Sequence, residues 1–145
     1  MGMLPVNFEV IKRSGIMNAV LSKISNGISV CYSEVFPNQE TDYFHFVYIG
    51  KIFLVADSYC MNPDCTCQEA VLNFVQAYPR EDRKADSFII RYKLNGRGYK
   101  IHDKGKFNKR EIQAIVMHFT ADGTILKSLN ERFKEMKEKA KKILS

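Results

Sequence analysis

The sequence predicts an α+β fold, a mainly antiparallel sheet followed by a C-terminal helical hairpin, in a single domain spanning residues 1–145. Three observations lead there. Through residue 101 the apolar residues fall in short aromatic and β-branched runs punctuated by turn residues, the mark of strands. From residue 108 they recur at steps of three and four, the mark of helices. Hydrophobic residues make up 46% of the 145, with ten Phe and seven Tyr, enough for a core that needs no disulfides. The chain therefore divides into residues 1–101, mainly β and carrying a cysteine cluster, and residues 108–145, a helical hairpin.

The elements follow in order. Phe8 and Val10 alternate with Glu9 in a short strand-like run that ends near Ser14-Gly15. Ile28 to Val35 is a second strand candidate, bounded by the turn pair Asn26-Gly27 and by Pro37-Asn38. Residues 43–49 and 52–56 are rich in aromatic and β-branched side chains and are separated by Gly50-Lys51, which predicts a hairpin. A two-residue turn at Gly50-Lys51 pairs Ile49 with Ile52 and His45 with Ala56. Ala70 to Ala77 and Ser87 to Leu94 are further apolar runs, linked by a charged loop, Pro79 to Asp86, expected to face solvent. Asn95-Gly96-Arg97-Gly98 supplies a turn into a short strand at Tyr99-Lys100-Ile101.

Ile112, Ile115, Val116 and Phe119 then fall on one helical face. Asn108 is the expected N-cap, with Glu111 three residues on to complete a capping box. Ala121-Asp122-Gly123 ends that helix, and a second begins near Thr124. Its apolar residues, Leu126, Leu129, Phe133, Met136, Ala140 and Ile143, form a heptad seam. Glu131–Lys134, Glu135–Lys139 and Glu138–Lys142 are spaced for ion pairs along its surface. The N-terminal half of the seam is expected to dock on Ile112, Ile115 and Phe119. The C-terminal half is left to project or to meet a second copy, which makes a homodimer through this helix the candidate assembly.

Charge is uneven. Residues 1–96 hold nine Lys/Arg and ten Asp/Glu, a net of −1, whereas residues 97–145 hold thirteen and six, a net of +7. Such asymmetry suits a phosphate-bearing or acidic partner, or a solvated helix face. Arg97, Lys100, Lys104, Lys106, Lys109 and Arg110 are interleaved with Tyr99 and Phe107, a mixture suited to single-stranded nucleic acid. The competing reading turns both rings inward and leaves a solvated basic loop. No apolar run approaches the ~20 residues that span a bilayer, and Met1 to Val10 lacks the pattern of a secretory leader, so no membrane association and a cytoplasmic location are expected.

Three of the four cysteines lie within eight residues, in Cys60-Met-Asn-Pro-Asp-Cys65-Thr-Cys67. Asn62-Pro63-Asp64 is a turn sequence that brings Cys60 back toward the other two. Cys65 and Cys67 straddle one residue, so extended backbone presents both sulfurs on one side. This convergence is what a zinc ion requires of thiolates that hold it at about 2.3 Å. A disulfide, a redox pair and inert buried thiols compete; a reducing compartment and the missing Cys-x-x-Cys spacing weigh against the first two. Cys31, His45, His102, His118, Asp57 and Asp64 are candidates for a fourth ligand, as is water.

The stretch from Tyr48 through Cys67, followed by Val71-Leu-Asn-Phe74, resembles uncharacterised bacterial proteins that carry a Tyr-Cys-x-Asn-Pro-x-Cys-x-Cys segment, some of which resemble SEC-C motif zinc-binding proteins. The resemblance covers about 27 residues and implies that Cys60, Cys65 and Cys67 are metal ligands. The Cys-Pro-Cys-Gly-Ser-Gly tail of the SEC-C pattern is missing, and no cysteine follows Cys67.

Catalytic signatures are sparse. There is no Gly-x-Ser-x-Gly, no His-Glu-x-x-His, no phosphate-binding Gly-rich loop ending in Lys-Ser/Thr, and no deaminase His-x-Glu with Pro-Cys-x-x-Cys. An open three-cysteine metal site with Glu69 as proton carrier is the enzymatic reading. A binding or adaptor module with a structural zinc, acting on a protein or a nucleic acid, is the better supported one.

Overall fold

The computed structural model describes residues 18–36, 43–80 and 85–145. The elements are α1 (residues 18–25), β1 (Val30–Cys31), α2 (Tyr32–Val35), β2 (Phe44–Tyr48), β3 (Lys51–Tyr59), β4 (Glu69–Tyr78), β5 (Ser87–Lys93), β6 (Tyr99–Asp103), α3 (Lys109–Thr120) and α4 (Gly123–Leu144). The α+β expectation holds: one open antiparallel sheet carries six strands, and the helical hairpin follows it. Strand order is β1-β3-β4-β5-β6, with β2 also paired to β3. Because β4 occupies one edge of β3, β1 and β2 share the other, β2 along Lys51–Val55 and β1 at Ser58–Tyr59.

Strand alternation assigns the faces. Phe53, Val55, Asp57 and Tyr59 of β3, Ala70, Leu72, Phe74 and Gln76 of β4, and Phe88, Ile90 and Tyr92 of β5 are all buried on one side. Helix α3 covers that side with Ile112, Ile115, Val116 and Phe119. The Phe119 ring meets Phe46 at 5.1 Å and Phe74 at 5.3 Å, while Phe74 stacks on Phe88 at 4.6 Å. The capping box at the head of α3 forms as expected. The Asn108 side chain accepts from the Glu111 N–H at 2.8 Å, and Glu111 returns the bond to the Asn108 N–H at 3.1 Å.

Four expectations are corrected. The Ile28–Val35 strand shrinks to Val30–Cys31, because Cys31 caps a single helical turn that closes when the Phe36 N–H reaches the Tyr32 carbonyl at 3.0 Å. The hairpin turn is Ile49-Gly50, with φ of 46° and 70°, so Tyr48 pairs with Lys51 and His45 with Leu54. Two positive φ values define the turn whose twist matches a hairpin, and Gly takes its second position. The seam of α4 is buried along its whole length: Leu129, Met136 and Ala140 are fully buried, and Leu126, Phe133 and Ile143 pack against the same core. The C-terminal half therefore does not project, since leaving those side chains wet forfeits more than docking costs. Finally, none of the three surface pairs on α4 closes to ion-pair distance; Glu135 instead accepts from the Tyr32 hydroxyl at 2.7 Å. The Phe8–Val10 run and residues 81–84 of the charged loop lie outside the described residues. Among the described residues, no helix is long and apolar enough to cross a membrane.

Candidate metal centre

The connection from β3 to β4 joins the two central strands and holds the three clustered cysteines. Tyr59 and Met61 are both fully buried, so Cys60 between them is turned to the opposite side of the chain. The turn forms as its sequence demands. The Cys65 N–H donates to the Asn62 carbonyl at 3.1 Å, and the Asp64 N–H donates to the Asn62 side-chain oxygen at 3.0 Å. This returns Cys65 and Cys67 to Cys60. The three sulfurs all lie within 4.8 Å of one another, with Cys65 and Cys67 Sγ at 2.7 Å. A four-coordinate zinc with ligands at 2.3 Å separates its sulfurs by about 3.8 Å, so the three sulfurs are close enough to hold one ion once Cys65 and Cys67 open from 2.7 Å. All three cysteines are half-buried, as a site at a strand-end loop would be.

The electrostatics divide the thiols. Hydrogen bonding from the Cys67 side chain, then from its backbone, holds the Cys65 thiol below the ordinary cysteine range, and Lys137 adds to the effect. Burial first, and then the proton shared with Cys65, pushes the Cys67 thiol up to about 12. Lys137 of α4 also donates to the Asn62 carbonyl at 2.7 Å, tying the cysteine loop to the helix that crosses the sheet.

The candidates for a fourth ligand separate clearly. Asp57 is fully buried, and its carboxylate accepts from Arg132 at 2.8 and 3.1 Å and from the Tyr59 hydroxyl at 2.7 Å. His118 Nε2 lies 3.1 Å from the Val47 carbonyl. His45 pairs with Leu54, six residues from Cys60 along β3, roughly 20 Å; the corrected register moves it further from the thiols. His102 lies exposed on β6, two strands beyond β4. Asp64 is exposed in the turn itself. Cys31 Sγ lies 3.2 Å from the Ser33 hydroxyl, outside the three-sulfur cluster.

Beside this loop is a group the spacing of the chain conceals. The Arg132 guanidinium, held by Asp57, lies 4.2 Å from the centre of the Tyr32 ring and 4.4 Å from that of Phe44. Burial raises the Asp57 carboxyl above its ordinary value, against the opposing pull of Tyr59 and Arg132. Alternation along Phe53, Val55 and Asp57 signals that this carboxylate faces inward; its partner, 75 residues away, leaves no local mark.

The basic residues are exposed: Arg97, Lys100, Lys104, Lys106, Lys109 and Arg110 all face solvent, Lys106 lying 3.7 Å from Asp86. They are not one cluster. Arg97 precedes β6 and Lys104 follows it, so the five-residue strand, roughly 17 Å, intervenes. Phe107 is buried against Phe53 and Phe88, and Tyr99 is half-buried against the same core, the arrangement of the competing reading in which both rings turn inward.

No protein-family model, no curated protein and no solved structure matches this chain.

Proposed function

We propose that this chain is a cytoplasmic zinc-binding protein whose metal is structural, and that it serves as a binding or adaptor module. The observation that carries this reading is the convergence of Cys60, Cys65 and Cys67 on one point at the junction of the two central strands. Zinc there, when bound, would fix the loop in one conformation. Thiolates select soft or borderline metals, and among those abundant in a reducing compartment zinc is the ordinary occupant. The resemblance of the Tyr59–Cys67 segment to bacterial proteins related to SEC-C motif zinc binders points the same way. The sequence carries none of the standard catalytic signatures, which favours an architectural role for the site over a catalytic one.

Elemental analysis of the purified chain tests it. About one zinc per chain is expected, lost in Cys60→Ser, Cys65→Ser and Cys67→Ser. Equal melting temperatures with and without zinc would remove the structural role.

A nucleic-acid function would rest mainly on phosphate contacts from six exposed cations, with Phe107 buried and Tyr99 half-buried. Binding of this kind falls steeply with salt. Charge reversal at Lys104, Lys106 and Lys109 is the variant that separates it from the adaptor reading.

A further inference from the structure

We infer that Cys31 supplies a fourth thiolate to the same centre, making it a four-sulfur site assembled from both edges of β3. This inference rests on the metal reading above and goes beyond it by naming the ligand that closes the site.

Sheet register carries the argument. β1 pairs with the end of β3, Val30 opposite Tyr59 and Cys31 opposite Ser58. Val30 is buried opposite buried Tyr59, so Cys31, the next residue of the strand and the partner of Ser58, is turned to the other face of the sheet. Tyr59 and Met61 are likewise buried on either side of Cys60, which turns Cys60 to that same face. Cys31 and Cys60 are therefore diagonal neighbours on one surface: Cys31 faces Ser58, and Cys60 follows Ser58 by two residues. Diagonal positions across an antiparallel pair stand about 7–8 Å apart, somewhat less between Cβ atoms. Two thiolates that each reach about 2.3 Å beyond their sulfur span that gap. To reach the ion the Cys31 side chain would turn about χ1, giving up its contact with the Ser33 hydroxyl at 3.2 Å.

Elimination among soft donors agrees. The chain holds four Cys and three His, all within the described residues. His45 lies at the far end of β3, His118 is engaged with the Val47 carbonyl, and His102 is on the remote strand β6. Cys31 is the one remaining thiol, and it stands at the same end of the sheet as the cluster. Closed four-ligand sites are the structural kind, whereas an open position marks a catalytic one. A fourth sulfur would thus also tie β1, the shortest strand of the sheet, to the β3–β4 junction.

X-ray absorption on the zinc-loaded full chain counts the ligands. Four sulfurs at about 2.3 Å are expected in the wild type. In Cys31→Ser the expected set is three sulfurs and one lighter atom at about 2.0–2.1 Å, with zinc affinity at least tenfold weaker. Three sulfurs in the wild type, or an unchanged spectrum in Cys31→Ser, would overturn the assignment. The wild-type count needs no variant to fold. Cys67→Ser separates the two levels of the argument. If it loses zinc while Cys31→Ser keeps the wild-type spectrum, only the fourth ligand is wrong. If Cys67→Ser also retains zinc unchanged, the metal reading itself fails.

Discussion

Asp57 and Cys60 stand three residues apart at one end of β3, and their surroundings are opposite. Asp57 faces the core. It is fully buried and accepts from Arg132 and Tyr59, while the guanidinium lies between the Tyr32 and Phe44 rings. Cys60, Cys65 and Cys67 face outward, half-buried, and find one another as partners. The first group is satisfied by the chain's own side chains; the second gathers three thiols close enough to hold a metal ion. Helix α4 grips both, through Arg132 at Asp57 and through Lys137 at the Asn62 carbonyl.

The sharpest break in this comparison is Arg132→Ala. It strands a carboxylate with no exposed surface, and the expected loss is about 3–5 kcal/mol in denaturant unfolding. A loss under 1 kcal/mol would show that the clamp is not scaffold. Zinc should come next: at a free concentration a hundredfold above Kd it adds about 2.7 kcal/mol to the wild type and nothing to Cys65→Ser, measured as a shift in melting temperature. Lys137→Met should cost about 1 kcal/mol, one hydrogen bond to a charged group at a half-exposed position, and should weaken zinc binding more than it weakens folding. If folding suffers more than binding, Lys137 belongs with the scaffold and not with the loop.

The last contrast is silent at neutral pH. Burial, followed by the bond to Glu135, raises the Tyr32 hydroxyl to about 12, and burial beside Asp57 raises Tyr59 further still. A folded value above the unfolded one of about 10 means that the native state holds its proton longer. The stability these hydroxyls contribute is therefore fully present below pH 10 and is lost as pH climbs toward 12 and beyond. Tyrosinate absorbance should show both rings titrating together with unfolding. Titration of either ring in a still-folded chain would detach it from the clamp.

Much of this was legible in the sequence because it is local. The capping box, the Asn62-Pro63-Asp64 turn and the alternating runs of β3, β4 and β5 all depend on neighbours within a few residues. The hairpin slipped by one residue because the sequence does not announce that Ile49 takes a positive φ. Ile28–Val35 has strand composition throughout, yet the inward demand of Tyr32, bonded to Glu135 across 103 residues, wins after Cys31. The Arg132–Asp57 pair was missed for the same reason. Arg132 does stand three residues after Leu129 and four before Met136, on the buried stripe of α4, which was the trace it left. At the thiols, spacing identified the cluster, while the position of Cys31 across from Ser58 emerges only from the register of β1 against β3.

Gly105 bears on how the basic segment could evolve. It follows β6 at φ +55°, and a side chain there would drive its first carbon into the carbonyl of Ser87 on the neighbouring strand. Its own N–H is held at 2.9 Å by the Asp103 carboxylate. Lys104 and Lys106 on either side can drift to other residues without disturbing the backbone; Gly105 cannot. In a library randomised at residues 104–106, selection for folding alone would return glycine at the centre and leave the two flanking lysines free to vary. The charges of this turn are therefore open to selection by whatever partner the protein meets, while the direction in which the turn presents them is inherited with the fold.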